Sequence, residues 1–362
     1  MQVYNIPMAK QTLEEILAEN TKEGELSRAL PDGRVECFAC GLRCPIPEGK
    51  DGVCKVRFNR GGKLFVPFGY VSGLQDDPIE KKPFYHVMPG SRAMSFGMLG
   101  CDFHCSFCQN WVTTQTLRDP EAVSSVMKIK PQQVAEIAIK TGCRSVISTY
   151  NEPLITSEWA AEIFKEAKEA DLVTGYVSNG NATPEVLDYL RPWLDLYKVD
   201  LKGFDDKHYR ELGGALENVC RTIRDLYERK FYMEIVTLLI PGFNDSDEEI
   251  KKLTGFIAAV SPEIPWHVTA FHPDYRMTDR SATSSESLAR AASIGRESGL
   301  HYVYAGNLPG AIEGGEDTRC PHCREVLIKR LGYRILEDKL TTTKGRCFSC
   351  QAKIPGFWAQ NH

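Results

Sequence analysis

Thirteen cysteines in 362 residues, sorted into groups of four, three and four with two left over, constrain this chain more than any other feature. The groups are Cys37, Cys40, Cys44 and Cys54; Cys101, Cys105 and Cys108; and Cys320, Cys323, Cys347 and Cys350, with Cys143 and Cys220 standing alone. A chain of this length builds an adequate core without cross-links, which removes the usual structural reason for so much cysteine. The first thirty residues lack the uninterrupted apolar stretch of a secretory signal, and no run approaches the roughly 18 apolar residues of a membrane span. The expectation is a cytoplasmic protein with no membrane partner, in a reducing compartment where grouped cysteines bind metal. Cys143 and Cys220, each placed by pattern at the end of a helix, read as small buried hydrophobes.

The counts differ in a way that matters chemically. Four thiolates close a metal site, whereas three leave one coordination position for a substrate or second cofactor. The open set is GCDFHCSFCQNW, with spacing Cys-x3-Cys-x2-Cys, which random placement of 13 cysteines would produce about 0.02 times. The middle group is therefore the candidate for chemistry.

Between about residues 93 and 308, β-rich runs alternate with amphipathic stretches. AMSFGML, SVISTY, TGYVSN, LYKVDL, MEIVTLLI, WHVTAF and YVYAGN read as strands. Pro131 opens one helix and Thr183 with Pro184 another, while Ser246 and Glu249 have capping-box spacing for a third. Alternating strands and helices imply an α/β fold with a parallel sheet and right-handed crossovers, closed or partly closed as a barrel. Functional residues of such sheets gather at the carboxyl ends of the strands. Those ends carry Asn151, Glu152 and Pro153; Ser178, Asn179 and Gly180; Asp200 and Lys202; and His272. Singly, each has a plain turn or surface-pair reading. Together, on the rim that carries a three-thiolate loop, they point to a binding site.

The loop CDFHCSFC, with Phe107 before its third cysteine, resembles the signature of the radical S-adenosylmethionine (SAM) superfamily. The resemblance implies a partial (β/α)6-type barrel over 89–310, flanked by a cysteine-rich module at 1–88 and a ribbon-like module at 311–362. It also implies a [4Fe-4S] cluster on Cys101, Cys105 and Cys108, whose fourth iron is chelated by SAM, and cleavage of SAM to a 5′-deoxyadenosyl radical. The middle is most similar to the branch of glycyl-radical-enzyme activases such as pyruvate formate-lyase activating enzyme. On that likeness Phe107, Asn151, Glu152, Ser178, Asn179, Asp200, Lys202 and His272 bind SAM: Glu152 meets its ammonium, Lys202 lies near its carboxylate and His272 beside its adenosyl group. IPGFND at 240–245 resembles the branch's Pro-Gly-x-x-Asp. Two departures are Tyr150 and Asn151 in place of a Gly-Gly pair, and Val177 in place of an aspartate that builds a cation site. DPIEKKPFYHVMPG, CQNW and the flanking cysteine motifs are similar to the radical SAM enzyme of the AmmeMemoRadiSam system. The resemblances imply an electron donor such as flavodoxin or ferredoxin, and a protein substrate or a Memo-like or AMMECR-type partner.

Cys37, Cys40, Cys44 and Cys54 sit in a segment punctuated by Gly and Pro, as expected where metal organises the chain; structural Zn²⁺ is the first reading, ahead of an auxiliary iron–sulphur cluster and of free thiols. Cys320, Cys323, Cys347 and Cys350 form two Cys-x2-Cys knuckles around a hairpin and read as a zinc ribbon. From 319 to 362 nine Lys and Arg face three acids, a local +6 in a chain of net −4. With Phe348 and Trp358 this tail offers a grip for nucleic acid, but a solvated basic face on a structural cap is the favoured reading. His104 and His322 read as bystanders to sets that already have their thiols, and His86 is divided between packing and the active site. The leading function is a radical SAM oxidoreductase. The competing one is a zinc-rich binding module that docks a protein or RNA without catalysis.

Overall fold

The computed structural model describes residues 13–358. The β-rich runs of the middle become seven parallel strands of one sheet, and an eighth, antiparallel strand precedes them. In chain order these are β1 (Gly73–Pro78), β2 (Arg92–Gly97), β3 (Ser145–Ser148), β4 (Val173–Ser178), β5 (Leu196–Asp200), β6 (Tyr232–Leu239), β7 (Trp266–Ala270) and β8 (Val303–Gly306). Each strand pairs with its sequence neighbour, β1 antiparallel to β2 and the rest parallel. Among the described residues β1 and β8 are the two edges, so the sheet is a partly closed barrel. The sheet thus recruits β1 from before residue 89.

Six helices make the crossovers: α1 (Pro131–Lys140), α2 (Ser157–Glu169), α3 (Pro184–Leu190), α4 (Leu216–Glu228), α5 (Asp247–Val260) and α6 (Ser285–Glu297). Their starts follow local chemistry. Pro131 occupies the first turn of α1, and the hydroxyls of Thr183 and Ser246 accept from Val186 and Glu249 N–H to cap α3 and α5. The expected capping box of α5 is only half made: the Glu249 carboxylate accepts instead from Phe204 N–H at 2.6 Å, tying down the loop after β5. Cys143 lies just beyond α1 and is buried; Cys220 is also buried but lies inside α4, correcting its expected place at a helix end.

Period-two alternation builds both ends of the barrel interior from the same strand faces. Lys198 on β5, Glu234 on β6, His267 on β7 and Tyr304 on β8 form a buried polar layer at the strands' amino-terminal halves. Two residues farther along, Asp200, Val236 and Thr269 point into a cavity at the carboxyl ends. Glu234 is the acceptor hub of the lower layer, taking bonds from Tyr85 N–H (3.1 Å), His86 N–H (2.9 Å), Tyr232 Oη (3.1 Å) and His267 Nε2 (2.6 Å). The segment around residues 82–88 therefore plugs the floor.

His86 belongs to that plug and not to the cavity. Its Nδ1 lies 2.8 Å from Pro355 O and its Nε2 2.6 Å from Tyr304 Oη. Burial pushes its pKa down to about 4, so the folded protein keeps the ring neutral while the unfolded chain protonates it below about 6.5. Because the unfolded state then binds more protons, stability falls as pH drops from about 6.5 to about 4, by up to ~1.4 kcal/mol per pH unit. Denaturant titrations at pH 7 and pH 5 should show the loss, and His86→Gln should flatten the slope.

The carboxy-terminal module contains a three-stranded antiparallel sheet, β9 (Thr318–Arg319), β10 (Val326–Leu331) and β11 (Arg334–Asp338), packed on the segment 85–90. Buried Arg330 fixes it, donating to Thr318 Oγ1 (2.7 Å), Glu316 O (3.3 Å) and Tyr85 O (2.6 Å). Trp358 is buried against His86, ring centroids 5.1 Å apart, with its indole N–H on Ile354 O. It is not available to stack on a nucleic acid, which corrects the reading that paired it with exposed Phe348. Before the barrel, two small antiparallel sheets (Thr21–Glu23, Lys63–Pro67 and Phe58–Arg60; Ser27–Ala29, Val35–Cys37 and Pro45–Ile46) carry the first cysteine group. No helix among the described residues is long and apolar enough to cross a membrane.

Candidate active site

The loop after β2 carries Cys101, Cys105 and Cys108, and all three line one cavity of about 370 Å³ at the carboxyl end of the sheet. Close packing shapes the entry to this loop. A Cβ on Gly97 would meet Thr149 O at 2.4 Å, and Gly100 turns with φ +91° while packed on Cys54 O. The Arg118 guanidinium then staples the loop, donating to Cys101 O (2.7 Å), Phe103 O (3.0 Å) and, from the amino-terminal module, Val53 O.

The thiols carry their own polar surroundings. Phe103 N–H donates to Cys101 Sγ at 3.4 Å, and Thr114 Oγ1 lies 3.3 Å from Cys108 Sγ. Burial pushes all three thiols up, Cys105 to about 12, so bare thiolates are disfavoured and a cation is needed to hold them ionised. Three soft donors facing one cavity, with amide and hydroxyl groups directed at sulphur, fit a [4Fe-4S] cluster with one iron left open.

Glu152, at the end of β3, accepts from Leu154 N–H (3.1 Å), Ser178 Oγ (2.7 Å) and Asn179 N–H (2.8 Å). Burial, and then the carboxyl of Asp102, push Glu152 towards its neutral form. Asp102 sits inside the thiol loop, accepting from the side-chain amides of Asn179 (2.7 Å) and Asn181 (2.9 Å). Asn151 Oδ1 accepts from Met98 N–H at 3.0 Å, locking β3's end to the thiol loop. On the other flank Lys202 Nζ lies 3.2 Å from Asp200 Oδ2. Burial opposes the Lys202 ammonium, but Asp200 and then the Cys105 sulphur outweigh it and hold the group protonated. The 240–245 motif supports this flank: Asn244 Nδ2 donates to Lys202 O and Leu238 O, both at 2.8 Å, and Phe243 packs edge-on to Phe107.

Cys101, Cys105, Cys108, Phe107, Asn151, Glu152, Ser178, Asn179, Asp200 and Lys202 therefore line one cavity. His272 does not join them; it is exposed at the rim, its Nε2 3.1 Å from the side-chain nitrogen of cavity-lining Gln109. His104 and His322 are exposed. Sequence reasoning did not single out Asp102, Lys81, Lys82 or Tyr333. The EKKP motif was visible before the barrel, but nothing in its spacing indicated that its lysines line the thiols' cavity. Tyr333 comes from the turn between β10 and β11 and had no local signal.

The other two cysteine groups differ from each other. Among the described residues, the sulphurs of Cys320, Cys323, Cys347 and Cys350 form a potential metal-binding set, all within 4.8 Å of one another, with Cys320–Cys350 and Cys323–Cys347 at 3.5 Å. Among the described residues neither the amino-terminal four nor the Cys101, Cys105 and Cys108 trio forms so close a set. Cys37, Cys40 and Cys54 are buried and Cys44 is half-buried, behind the thiol loop.

The radical SAM superfamily profile matches residues 97–254. An uncharacterized protein of Methanocaldococcus jannaschii is 33% identical over 335 residues, covering 92% of this chain and 98% of its own. Pyruvate formate-lyase-activating enzyme of Staphylococcus epidermidis is 26% identical over 197 residues, covering 51% of this chain and 76% of its own. Among solved structures, a domain of pyruvate-formate lyase-activating enzyme from Bacteroides vulgatus aligns with TM-score 0.41 and 23% identity, over 45% of this chain and 99% of that one. With three thiols on one cavity wall at the carboxyl end of a parallel sheet, and a profile match spanning those thiols through α5, the chain belongs to the radical SAM superfamily.

Proposed function

We propose that this protein is a radical SAM oxidoreductase in which Cys101, Cys105 and Cys108 hold a [4Fe-4S] cluster and the Glu152–Lys202 cavity holds SAM. The observation that carries this reading is the convergence of three thiols, a buried carboxyl and a half-buried ammonium on one cavity. When bound and reduced, the cluster and SAM together supply a 5′-deoxyadenosyl radical that abstracts hydrogen from a substrate. The chain's own residues position and shield. Glu152, held by three donors, presents its carboxyl to a cationic amino group; Lys202, kept charged by Asp200, presents an ammonium to a carboxylate. Ser178 and Asn179 hold Glu152's orientation and so act as positioning residues. Phe107 and Phe103 are buried beside the thiols and keep water from that wall.

The substrate proposal has two branches. Likeness to the activases favours a protein substrate and a flavodoxin- or ferredoxin-type donor, and motifs shared with the AmmeMemoRadiSam enzymes favour a Memo-like or AMMECR-type partner. Anaerobic reconstitution tests the core reading: with SAM and reductant, 5′-deoxyadenosine should form. Zinc without iron, and no deoxyadenosine, would leave the non-catalytic binding module as the better account.

For the flanking groups we propose Zn²⁺ in the ribbon, because the edge of a Zn–S4 tetrahedron is about 3.8 Å, close to the 3.5 Å contacts seen there. The wider amino-terminal set suits an auxiliary iron–sulphur cluster, whose irons stand between the thiolates. Metal analysis of the reconstituted protein should find about eight Fe and one Zn per chain. Four Fe and two Zn would assign zinc to the amino-terminal set as well. Cys323→Ser should lose the ribbon zinc and lower Tm while the iron content stays unchanged.

A further inference from the structure

One cavity wall is built from residues that the cluster and SAM do not require. Lys81 and Lys82, on the turn that follows β1, line the cavity together with Tyr150. Lys82 is almost fully buried, with its side chain 4% exposed, and its Nζ lies 2.7 Å from Asp77 Oδ2 and 3.1 Å from Tyr150 Oη. An ammonium has three N–H groups, and these two contacts engage two of them. The ammonium also lies over the Tyr150 ring, 4.4 Å from its centroid.

Tyr150 is held in a conformation it does not favour. Its φ is +68°, in the left-handed region where a bulky residue is a steric outlier. The surroundings enforce it: Tyr150 Oη donates to Asp77 Oδ2 at 2.6 Å, and Thr113 Oγ1 donates to Tyr150 O at 2.5 Å. Strain kept at a cavity wall, where glycine would relieve it, suggests that the phenol at this position has a use.

Charge on this wall is unbalanced. Lys81 Nζ reaches the other oxygen of Asp77 at 2.8 Å, so two ammonium groups share one carboxylate. The other cavity carboxyls are engaged elsewhere: Asp200 is paired with Lys202, and Glu152 is hydrogen-bonded by Leu154, Ser178 and Asn179 and not by either of these lysines. Around Asp77 itself one positive charge is left over, carried partly by a desolvated lysine that lines the cavity. Desolvation makes an incoming anion worth more there than at the surface.

We propose that Lys82, with Lys81 beside it and the Asp77–Tyr150 pair behind it, is a substrate subsite that takes a singly charged carboxylate. This deepens the radical SAM reading and rests on it for the word substrate: the molecule that gives up hydrogen in this cavity carries a carboxylate, free or on a side chain. A phosphate dianion would overshoot the single unmatched charge. Tyr333, from the turn of the carboxy-terminal ribbon, lines the same cavity and makes the ribbon part of the substrate's enclosure.

The test uses the reconstituted full-length protein with SAM present and trifluoroacetate as the probe, followed by fluorine NMR line broadening and competed with acetate. Wild type should bind saturably. Lys82→Met should weaken binding at least tenfold, and so should Lys81→Glu, which reverses a charge on a half-exposed side chain and leaves the core untouched. Absence of saturable binding in wild type, or binding unchanged in both variants, overturns the subsite. Tighter binding of fluorophosphate than of trifluoroacetate overturns the carboxylate class. Deoxyadenosine formation by the same wild-type sample separates the two readings. If it forms while no carboxylate binds, only the subsite fails; if carboxylate binds without it, only the radical SAM reading fails.

Discussion

Cys108→Ser is expected to abolish 5′-deoxyadenosine formation, by about a thousandfold or more, equivalent to at least ~4 kcal/mol of activation free energy. The open set has no thiol to spare, and serine replaces a soft thiolate with a hard oxygen that seldom ionises. Cys108 Sγ sits at the cavity wall within 3.3 Å of Thr114 Oγ1, so the smaller oxygen would fold without disturbing the loop. Iron content and the visible spectrum of the cluster should fall in step with activity. Cys143→Ser and Cys220→Ser are the controls, because both thiols are buried away from the cavity and neither variant should change turnover. Retained turnover in Cys108→Ser would remove this thiol from the cluster assignment.

The second large effect is on stability. Arg57, from the amino-terminal module, and Glu158, in the first turn of α2, form a bidentate pair with both contacts at 2.7 Å and side chains 1% and 0% exposed. Arg57 also donates to Ile155 O, and Glu158 Oε1 accepts from Leu26 N–H. Glu158→Ala strands a guanidinium where no water reaches it and should cost about 3–5 kcal/mol. The double variant Arg57→Met/Glu158→Leu removes both charges and keeps most of the volume, so it should be the more stable of the two. Chemical denaturation of the three proteins checks the order. A loss under about 1 kcal/mol in Glu158→Ala would show that the module is held on the barrel by its other contacts.

Much of the fold could be read from local pattern. All seven strand segments and the starts of α1, α3 and α5 follow from β-rich runs and capping residues, because these signals act over a few neighbouring positions. The thiol spacing and the polar residues after each strand located most of the cavity for the same reason. What pattern did not show depends on distant partners. Glu249 had the spacing of a capping box and spends its carboxylate on Phe204; Trp358 had the look of a stacking surface and is packed under the barrel against His86. His272 follows β7, as the pattern of the rim suggested, yet its side chain stays outside the cavity wall.

The sequence by itself determined the partition of the cysteines into four, three and four, the alternation of strand and helix, and which residues follow the strands. Each depends on spacing along the chain, and spacing is all that a metal-ligand loop or a strand face requires. The tertiary structure alone decided that Lys82, Tyr150 and Tyr333 meet in one cavity, and that Asp102 is shared between Asn179 and Asn181 behind the thiols. Those groups come from segments scores of residues apart. Strand pairing in the one sheet brings most of them together, and the carboxy-terminal hairpin adds Tyr333; no local pattern encodes either.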